Sequence, residues 1–363
     1  MGGESPLPYP GFAGFLFGEL MRRLKFIDAL RGLAVVGMLM IHLFEWWLRP
    51  SAKRTDLFAW LYFISKIVAP IFLMLVGVSL VLKIGQTTPS PRSYRAVVGR
   101  GVKILLTGYV FNLAVWASVW GLEEILVWDI LQLIGVAILL CLVLLVTVPP
   151  IGRLLLALAL IGLSSFLTER HLAFLPDYLA GIIAGTAPVI YFPLVPWLCY
   201  PLLGTVLGEG LVGARADGRQ KRLWAICAIL ALALIVVGLA GKPYALPFDP
   251  QSLWETEFSH PPLTQISFAL GAVLLLFAGL GWLYQRARGY LGFLEPLELM
   301  GRNALFIYIL HHLIGYDGFY LLKRQNAFSF TASGFMVVLG YGLIYLLLHS
   351  QPRLMKRIHV FLD

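Results

Sequence analysis

Long apolar runs recur along this chain, and they constrain its fold more than any other feature. Windows of about 20 uninterrupted apolar residues fall at 26–48, 57–82, 101–121, 124–147, 152–168, 191–212, 222–240, 264–284, 299–321 and 329–349. A run of that length matches the hydrocarbon core of a bilayer, and no soluble fold could bury so many. Composition points the same way: 59% of the residues are hydrophobic and 13% charged, whereas a soluble domain carries roughly a quarter charged residues. The expected fold class is therefore all-α and integral to the membrane, a polytopic bundle of about ten transmembrane helices. Only the run at 152–168 is short for a span.

The distribution of charge predicts the orientation. With an even number of spans both termini share one side. That side holds 18 of the 28 Lys and Arg residues, the opposite loops hold 7, and Arg31, Lys66 and Arg302 lie within spans. Cytoplasmic loops carry the excess of basic residues, so both termini are expected in the cytoplasm. The net charge of +9 is thereby a matter of topology, and no nucleic-acid partner is implied. Three parts follow: a cytoplasmic segment 1–25, a transmembrane domain 26–350 and a cytoplasmic tail 351–363. The apolar stretch GFAGFLFGEL in the first part is too short to span, and reads equally as an interfacial helix or as a tail. The first long run is longer than a signal-peptide core and has no cleavage site after it, so it is expected to stay in the mature protein.

Several chemistries lack their motifs. There is no GxSxG, no GxxxxGK[ST], no HExxH and no CxxC, and Cys141, Cys199 and Cys227 have no regular spacing. Hydrolase, nucleotide-triphosphatase and zinc-protease readings lose support, and no metal is expected. Two loops on the outer side, 169–190 with Asp177 and Tyr178 and 241–263 with Asp249, Trp254, Glu255, Glu257 and His260, read either as a roof over an external site or as plain connectors. Pro193, Pro196 and Pro201 must kink or break the sixth span, which fits a cavity wall or simple packing.

Ionisable groups inside a span cost about 2.5 to 3.5 kcal/mol each at its centre, so they mark candidate sites. The first span has the most. Asp28, Arg31, Val35, Met38, His42 and Glu45 repeat at three-and-four spacing and form one stripe, which should face the bundle interior. Arg31 and His42 lie ~16 Å apart along the helix, so the stripe carries polar groups at two depths. One reading is a polar path with His42 exchanging protons or accepting an acyl group; the other is a structural Asp28–Arg31 pair with His42 tied to Glu45 or a neighbour. In the ninth span Asn303 lies near the cytoplasmic end, and His311 and His312 reach the depth of His42. Adjacent residues point about 100° apart on a helix, so the two cannot face one cavity; either His311 is the one that faces it, or both are structural and bonded to neighbouring helix groups. Lys66, in mid-span, should pair with an acid or an anionic ligand, with Glu45, Asp129 and Asp28 as candidates. Asp129 and Gln132 lie one turn apart, and read either as cavity residues or as an interfacial cap beside Trp128.

The run Ile27-Asp28-Ala29-Leu30-Arg31-Gly32-Leu33-Ala34, followed by His42, resembles the opening motif of the heparan-α-glucosaminide N-acetyltransferase-like membrane family. Four further stretches are similar to that family's later motifs: Ala69-Pro70-Ile71-Phe72 through Ser79, Leu131-Gln132-Leu133-Ile134-Gly135, Phe192-Pro193-Leu194 with Trp197 and Gly204 to Gly208, and Gly301-Arg302-Asn303-Ala304-Leu305-Phe306-Ile307-Tyr308 ending in His311. Five motifs in order on five helices cover nearly the whole chain.

The resemblance implies a transmembrane acyltransferase of the plasma membrane that takes an acetyl group from cytoplasmic acetyl-CoA and passes it to an amino sugar or other glycan outside. It places His42 and His311 as the catalytic candidates. Asp28, Arg31, Glu45, Lys66, Asp129, Gln132, Arg302 and Asn303 are then the candidates for binding substrate or donor. Lys66 departs from relatives that carry an acid there, and the animal enzyme's long N-terminal extracytoplasmic domain is missing, which together favour a bacterial-type glycan or lipid acceptor. Expected partners are membrane lipids and the acceptor, with a homodimer left open. A transporter or flippase for a glycan or lipid-linked precursor is the alternative, suggested by the broken sixth span and the buried charges, although no internal repeat supports it. A non-catalytic scaffold would explain none of the buried charges.

Overall fold

The computed structural model describes residues 24–85, 91–117, 121–167, 169–185, 189–240, 261–287 and 291–351. The stretch GFAGFLFGEL, the acidic and aromatic residues of the second outer loop from Asp249 to His260, and the basic residues of the tail lie outside these. The described residues form helices and turns and no strand. Two isolated bridges, Leu48 with Phe328 and Trp128 with Ile190, are the extended pairing among them.

Among the described residues, eight helical segments are long and apolar enough to cross a bilayer. The first is α1 (Lys25–Trp47). The second is split: α2 (Asp56–Ser65) and α3 (Val68–Gly85) meet at a break containing Lys66, with Pro70 in the first turn of α3, where its missing donor costs nothing. The third combines α4 (Pro91–Phe111) with a π-helical turn, Asn112–Trp116, and the fourth is α5 (Ile130–Thr147). The short run is α6 (Pro150–Leu163), and α7 (Asp177–Ala184) lies in the loop after it. The fifth span begins at Leu194, has non-helical torsions at Val195 and continues as α8 (Cys199–Ala216), so the proline-rich start does break the helix. Then come α9 (Gln220–Ala240) and α10 (Leu263–Arg286).

The ninth expected span is interrupted. It consists of α11 (Glu295–Arg302), Asn303, α12 (Ala304–His311), a π-helical stretch His312–Gly318 and a last turn to Leu321, none of which is long enough to cross alone. The final span is α13 (Phe330–Ser350). The chain is thus a multi-pass membrane protein; its described residues hold eight long spans plus α6 and the broken late segment, against the ten expected from the sequence.

Burial separates core from rim. In the most apolar window of α1 67% of residues are inside the protein, and 72% in the Leu194–Ala216 segment, against 22% in α9 and 17% in α13. Leu230, Val236, Phe335 and Leu339 accordingly point outward, where lipid solvates them. Two crossings fix the centre. A Cβ on Gly32 would run into the backbone carbonyl of Leu297, and one on Gly301 into that of Asp28, so α1 and α11 touch backbone to backbone. Gly77 and Gly204 do the same for α3 and α8. The first crossing sets Asn303 and the residues after it beside the polar stripe of α1.

Candidate active site

A cavity of about 440 Å³ runs through the bundle between α1, α3, α4, α5 and the late segment. Four members of the α1 stripe, Arg31, Met38, His42 and Glu45, line its wall, whereas Asp28 and Val35 are packed behind. At one end Arg31 is joined on the wall by Lys83, Arg100, Arg302, Ser79 and Asn303. Arg31 bonds to Asp28 at 3.1 Å and donates to Ser79 Oγ at 3.0 Å. The Asn303 amide donates to the Leu299 carbonyl at 2.7 Å, while its buried Oδ1 has no partner. That atom is a spare acceptor at the basic end.

The other end holds both signs of charge. Glu45, Lys66, Asp129, Glu124 and Gln265 line the cavity there, with Tyr62 and Tyr191. Lys66 Nζ donates to the Tyr62 hydroxyl at 3.3 Å and lies 4.4 Å from the centre of its ring. Lys53 and Lys66 are both close enough to act on the charge of Glu45. In the loop outside the spans, burial pulls the Lys53 ammonium below its ordinary value and Glu45 pulls it back up. Asp129 caps α5: its Oδ1 accepts from the Ile130 N–H at 2.7 Å, and Gln132 Oε1 accepts from the Asp129 N–H at 3.2 Å. Its Oδ2 accepts from the Tyr308 hydroxyl at 3.3 Å. Gln132 itself is buried against Gly108, away from the cavity wall, and Trp128 is buried with its indole N–H on the Phe192 carbonyl, 2.8 Å away.

Between these ends three imidazoles gather. His42 Nδ1 lies 2.9 Å from His311 Nε2, with the rings stacked at 15°. His311 Nδ1 lies 2.5 Å from the Tyr308 carbonyl and 3.2 Å from that of Ile307. His312, not His311, lines the cavity; His311 sits behind, against Trp46 and Tyr308. The two π-helical stretches meet here, with Phe111 and Trp116 packing edge-on to His312 and Trp116 on Tyr316. π-helical turns often mark functional positions, and irregular backbone at membrane depth survives where protein buries it.

One nitrogen from each of the three histidines falls within 4.8 Å of the others, a set that could hold a cation. Two nitrogens on one tetrahedral zinc, each ~2.0–2.1 Å from it, would stand ~3.3 Å apart. The 2.9 Å separation of His42 and His311 is that of a hydrogen bond instead.

The family described as heparan-alpha-glucosaminide N-acetyltransferase, catalytic, matches residues 23–241. The chain belongs to this family. Membership makes it a membrane acetyltransferase. No curated protein matches the chain. Within the matched part of the acetyltransferase lie Asp28, Arg31, His42, Glu45, Lys66, Asp129 and Gln132; Arg302, Asn303 and His311 lie beyond it. The cavity nevertheless takes its wall from both parts. Sequence reasoning missed Ser79, Lys83, Arg100, Trp116, Tyr308 and Gln265. Ser79 and Tyr308 lie within motifs that carry the family resemblance, and Lys83 and Arg100 read from sequence only as topology signals. Nothing local marked Trp116 or Gln265.

Proposed function

We propose that this acetyltransferase takes an acetyl group from acetyl-CoA at the Arg31 end of the cavity and passes it to an amino-sugar or other glycan acceptor at the Glu45 end. The Arg31 end faces the cytoplasm, as the excess of basic residues there favours. The observation that carries this reading is one cavity with a cationic mouth at one end and His42 ~16 Å further in. Arg31, Lys83, Arg100 and Arg302 supply the charge that binds the donor's phosphates, and Asn303 Oδ1 offers an acceptor for a donor N–H. The apolar wall between, from Phe72, Leu75 and Ile134, suits the thin pantetheine arm that brings the thioester to His42.

His42 then has one of two roles. As a base, its Nε2 takes the proton of the acceptor amine or hydroxyl while the acceptor attacks the acetyl carbon; the C–S bond breaks and the thiolate leaves. As a nucleophile, Nε2 itself attacks that carbon, the C–S bond breaks and the thiolate leaves; the acceptor then attacks the acetyl on Nε2, the N–C bond breaks, and the acceptor's proton passes to the released imidazole. Glu45, Lys66, Asp129 and Gln265 surround the acceptor, and their mixed charge suits a polyhydroxylated molecule bearing an ionic group. The plasma membrane is the expected location.

The test is acetyl-CoA binding and thioester loss by detergent-purified protein, comparing wild type with His42→Ala and Arg31→Ala. Weaker binding in Arg31→Ala together with thioester loss that depends on His42 supports the proposal, and acetyl trapped on His42 selects the nucleophilic role. Thioester loss retained in full by His42→Ala, or no binding at millimolar acetyl-CoA, overturns it. In the second case uptake of glycan precursors into vesicles would favour transport.

A further inference from the structure

We infer that His311 is a positioning residue that fixes the tautomer of His42, leaving the lone pair on His42 Nε2. This deepens the acyl-transfer reading and rests on it for its catalytic meaning, although the proton arrangement itself does not. Both neighbours of His311 Nδ1 are backbone carbonyls, of Tyr308 at 2.5 Å and Ile307 at 3.2 Å. A carbonyl oxygen only accepts, so Nδ1 carries the proton. A neutral imidazole has one N–H, and the lone pair of His311 is therefore on Nε2.

That lone pair faces His42 Nδ1 at 2.9 Å. Two lone pairs at this separation would repel, so His42 Nδ1 is the donor and its own lone pair falls on Nε2, on the opposite edge of the ring. His42 is the member of the pair that lines the cavity. The chain of donors thus runs from His42 to His311 to the backbone of α12, and the one basic nitrogen left over belongs to the residue exposed to substrate. When Nε2 of His42 takes a proton or bonds to an acetyl carbon, the positive charge on the ring is shared across the hydrogen bond to His311.

Packing holds the register. His311 is 3% exposed, stacked on Trp46 with ring centres 5.5 Å apart and edge-on to Tyr308. Trp46 also faces His42 at 5.3 Å, one helical turn along α1. A flipped His311 ring would point a C–H at the Tyr308 carbonyl and lose a buried hydrogen bond. This also explains the order of the adjacent pair: His311 supports from behind while His312 lines the wall.

Tautomers can be read without turnover. The full chain holds seven histidines, so nitrogen-15 magnetic resonance of histidine-labelled protein in lipid nanodiscs, with His42→Gln and His311→Gln for assignment, resolves which nitrogen carries each proton. The expected result is two neutral imidazoles protonated on Nδ1, at 42 and 311, with His42 released to a tautomer mixture in His311→Phe. His42 protonated on Nε2 in the wild type overturns the inference, as does stoichiometric zinc whose removal changes both signals. In turnover, His311→Phe should lower kcat by roughly 10²-fold or more with KM for acetyl-CoA within about twofold. His311→Gln, whose amide oxygen still accepts from His42, should recover at least about a tenth of the wild-type kcat; an unchanged kcat in His311→Phe removes the positioning role. Nδ1–H tautomers at both positions in a protein that cleaves no acetyl-CoA would leave the proton arrangement standing and sink the acyl-transfer reading instead.

Discussion

Helix α1 and the late segment 295–318 meet at the same cavity, yet they are built in opposite ways. α1 is one unbroken helix of 23 residues, and its polar groups fall on the stripe that helical periodicity dictates. The late segment is two helices of 8 residues each, with Asn303 at the break between them, and then a π-helical stretch. α1 supplies reactive groups from a rigid rod. The late segment supplies what those groups lean on: the spare acceptor of Asn303, the support of His311 and the wall formed by His312. Irregular backbone there costs little where α1, α13 and the π-helical turn after α4 pack against it, because exposure to lipid would leave its broken ladder unsatisfied.

The sharpest way to break the comparison is to remove the α1 imidazole. His42→Ala should lower acetyl transfer by roughly 10²- to 10⁴-fold, the range for loss of a positioned acid–base or nucleophilic group, with the melting temperature nearly unchanged because His42 lies on a cavity wall. Turnover by purified protein with a defined acceptor measures it. A loss smaller than that of His312→Ala would transfer the chemistry to the late segment.

Next in size is the seam between the two regions. Gly301→Val places a branched side chain against the Asp28 carbonyl, and overpacking of this kind typically costs about 1 to 3 kcal/mol. The thermal midpoint in detergent should fall and activity should fall with it, since the crossing aligns Asn303 and His311 with the stripe. Gly340→Ala in α13 is the control: nothing lies within 4 Å of the added carbon, so stability should hold or rise slightly.

The cationic mouth is a third, smaller term. Arg31→Ala should raise KM for acetyl-CoA about tenfold, close to the worth of one charged hydrogen bond, and leave kcat within a few-fold. Raising the salt should weaken donor binding in the wild type more than in the variant, because part of the attraction is screened. Equal salt dependence in the two proteins would assign the phosphates to Lys83, Arg100 and Arg302 instead.

How far the sequence reveals this arrangement depends on where the backbone stays regular. The stripe from Asp28 to Glu45, the interior position of Arg31 and His42 and the break near Pro196 are all legible, because each follows from helical spacing or from the missing proline donor. Lys66 is legible as a buried cation but not as a residue at a helix break, since Ser65-Lys66-Ile67 carries no Gly or Pro. Asp129 and Gln132 form a capping box and Asp129 also lines the cavity, so both readings open to the pair hold in part. The late segment defeats periodicity. A π-helical turn inserts one residue into the repeat without any local signature, so the choice between His311 and His312 is settled by tertiary packing against Trp46, Phe111 and Trp116. Trp116 itself reaches the cluster through the other π-helical turn and escapes the same way.

The smallest expected effect tests the link between the late segment and α5. Tyr308 donates to Asp129 Oδ2 at 3.3 Å, a long bond, and Asp129 keeps its cap through Oδ1 at 2.7 Å when the hydroxyl is gone. Tyr308→Phe leaves the ring that packs on His311 and His312, and the freed carboxylate oxygen sits on a cavity wall where water or acceptor can satisfy it. The cost should therefore be about 0.5 to 1.5 kcal/mol, seen as a fall in kcat/KM of less than roughly tenfold with the thermal midpoint little changed. A loss as large as that of His42→Ala would mean that the Tyr308 hydroxyl handles a proton in the reaction. The late segment would then contribute chemistry as well as support, and its difference from α1 would be one of backbone geometry alone.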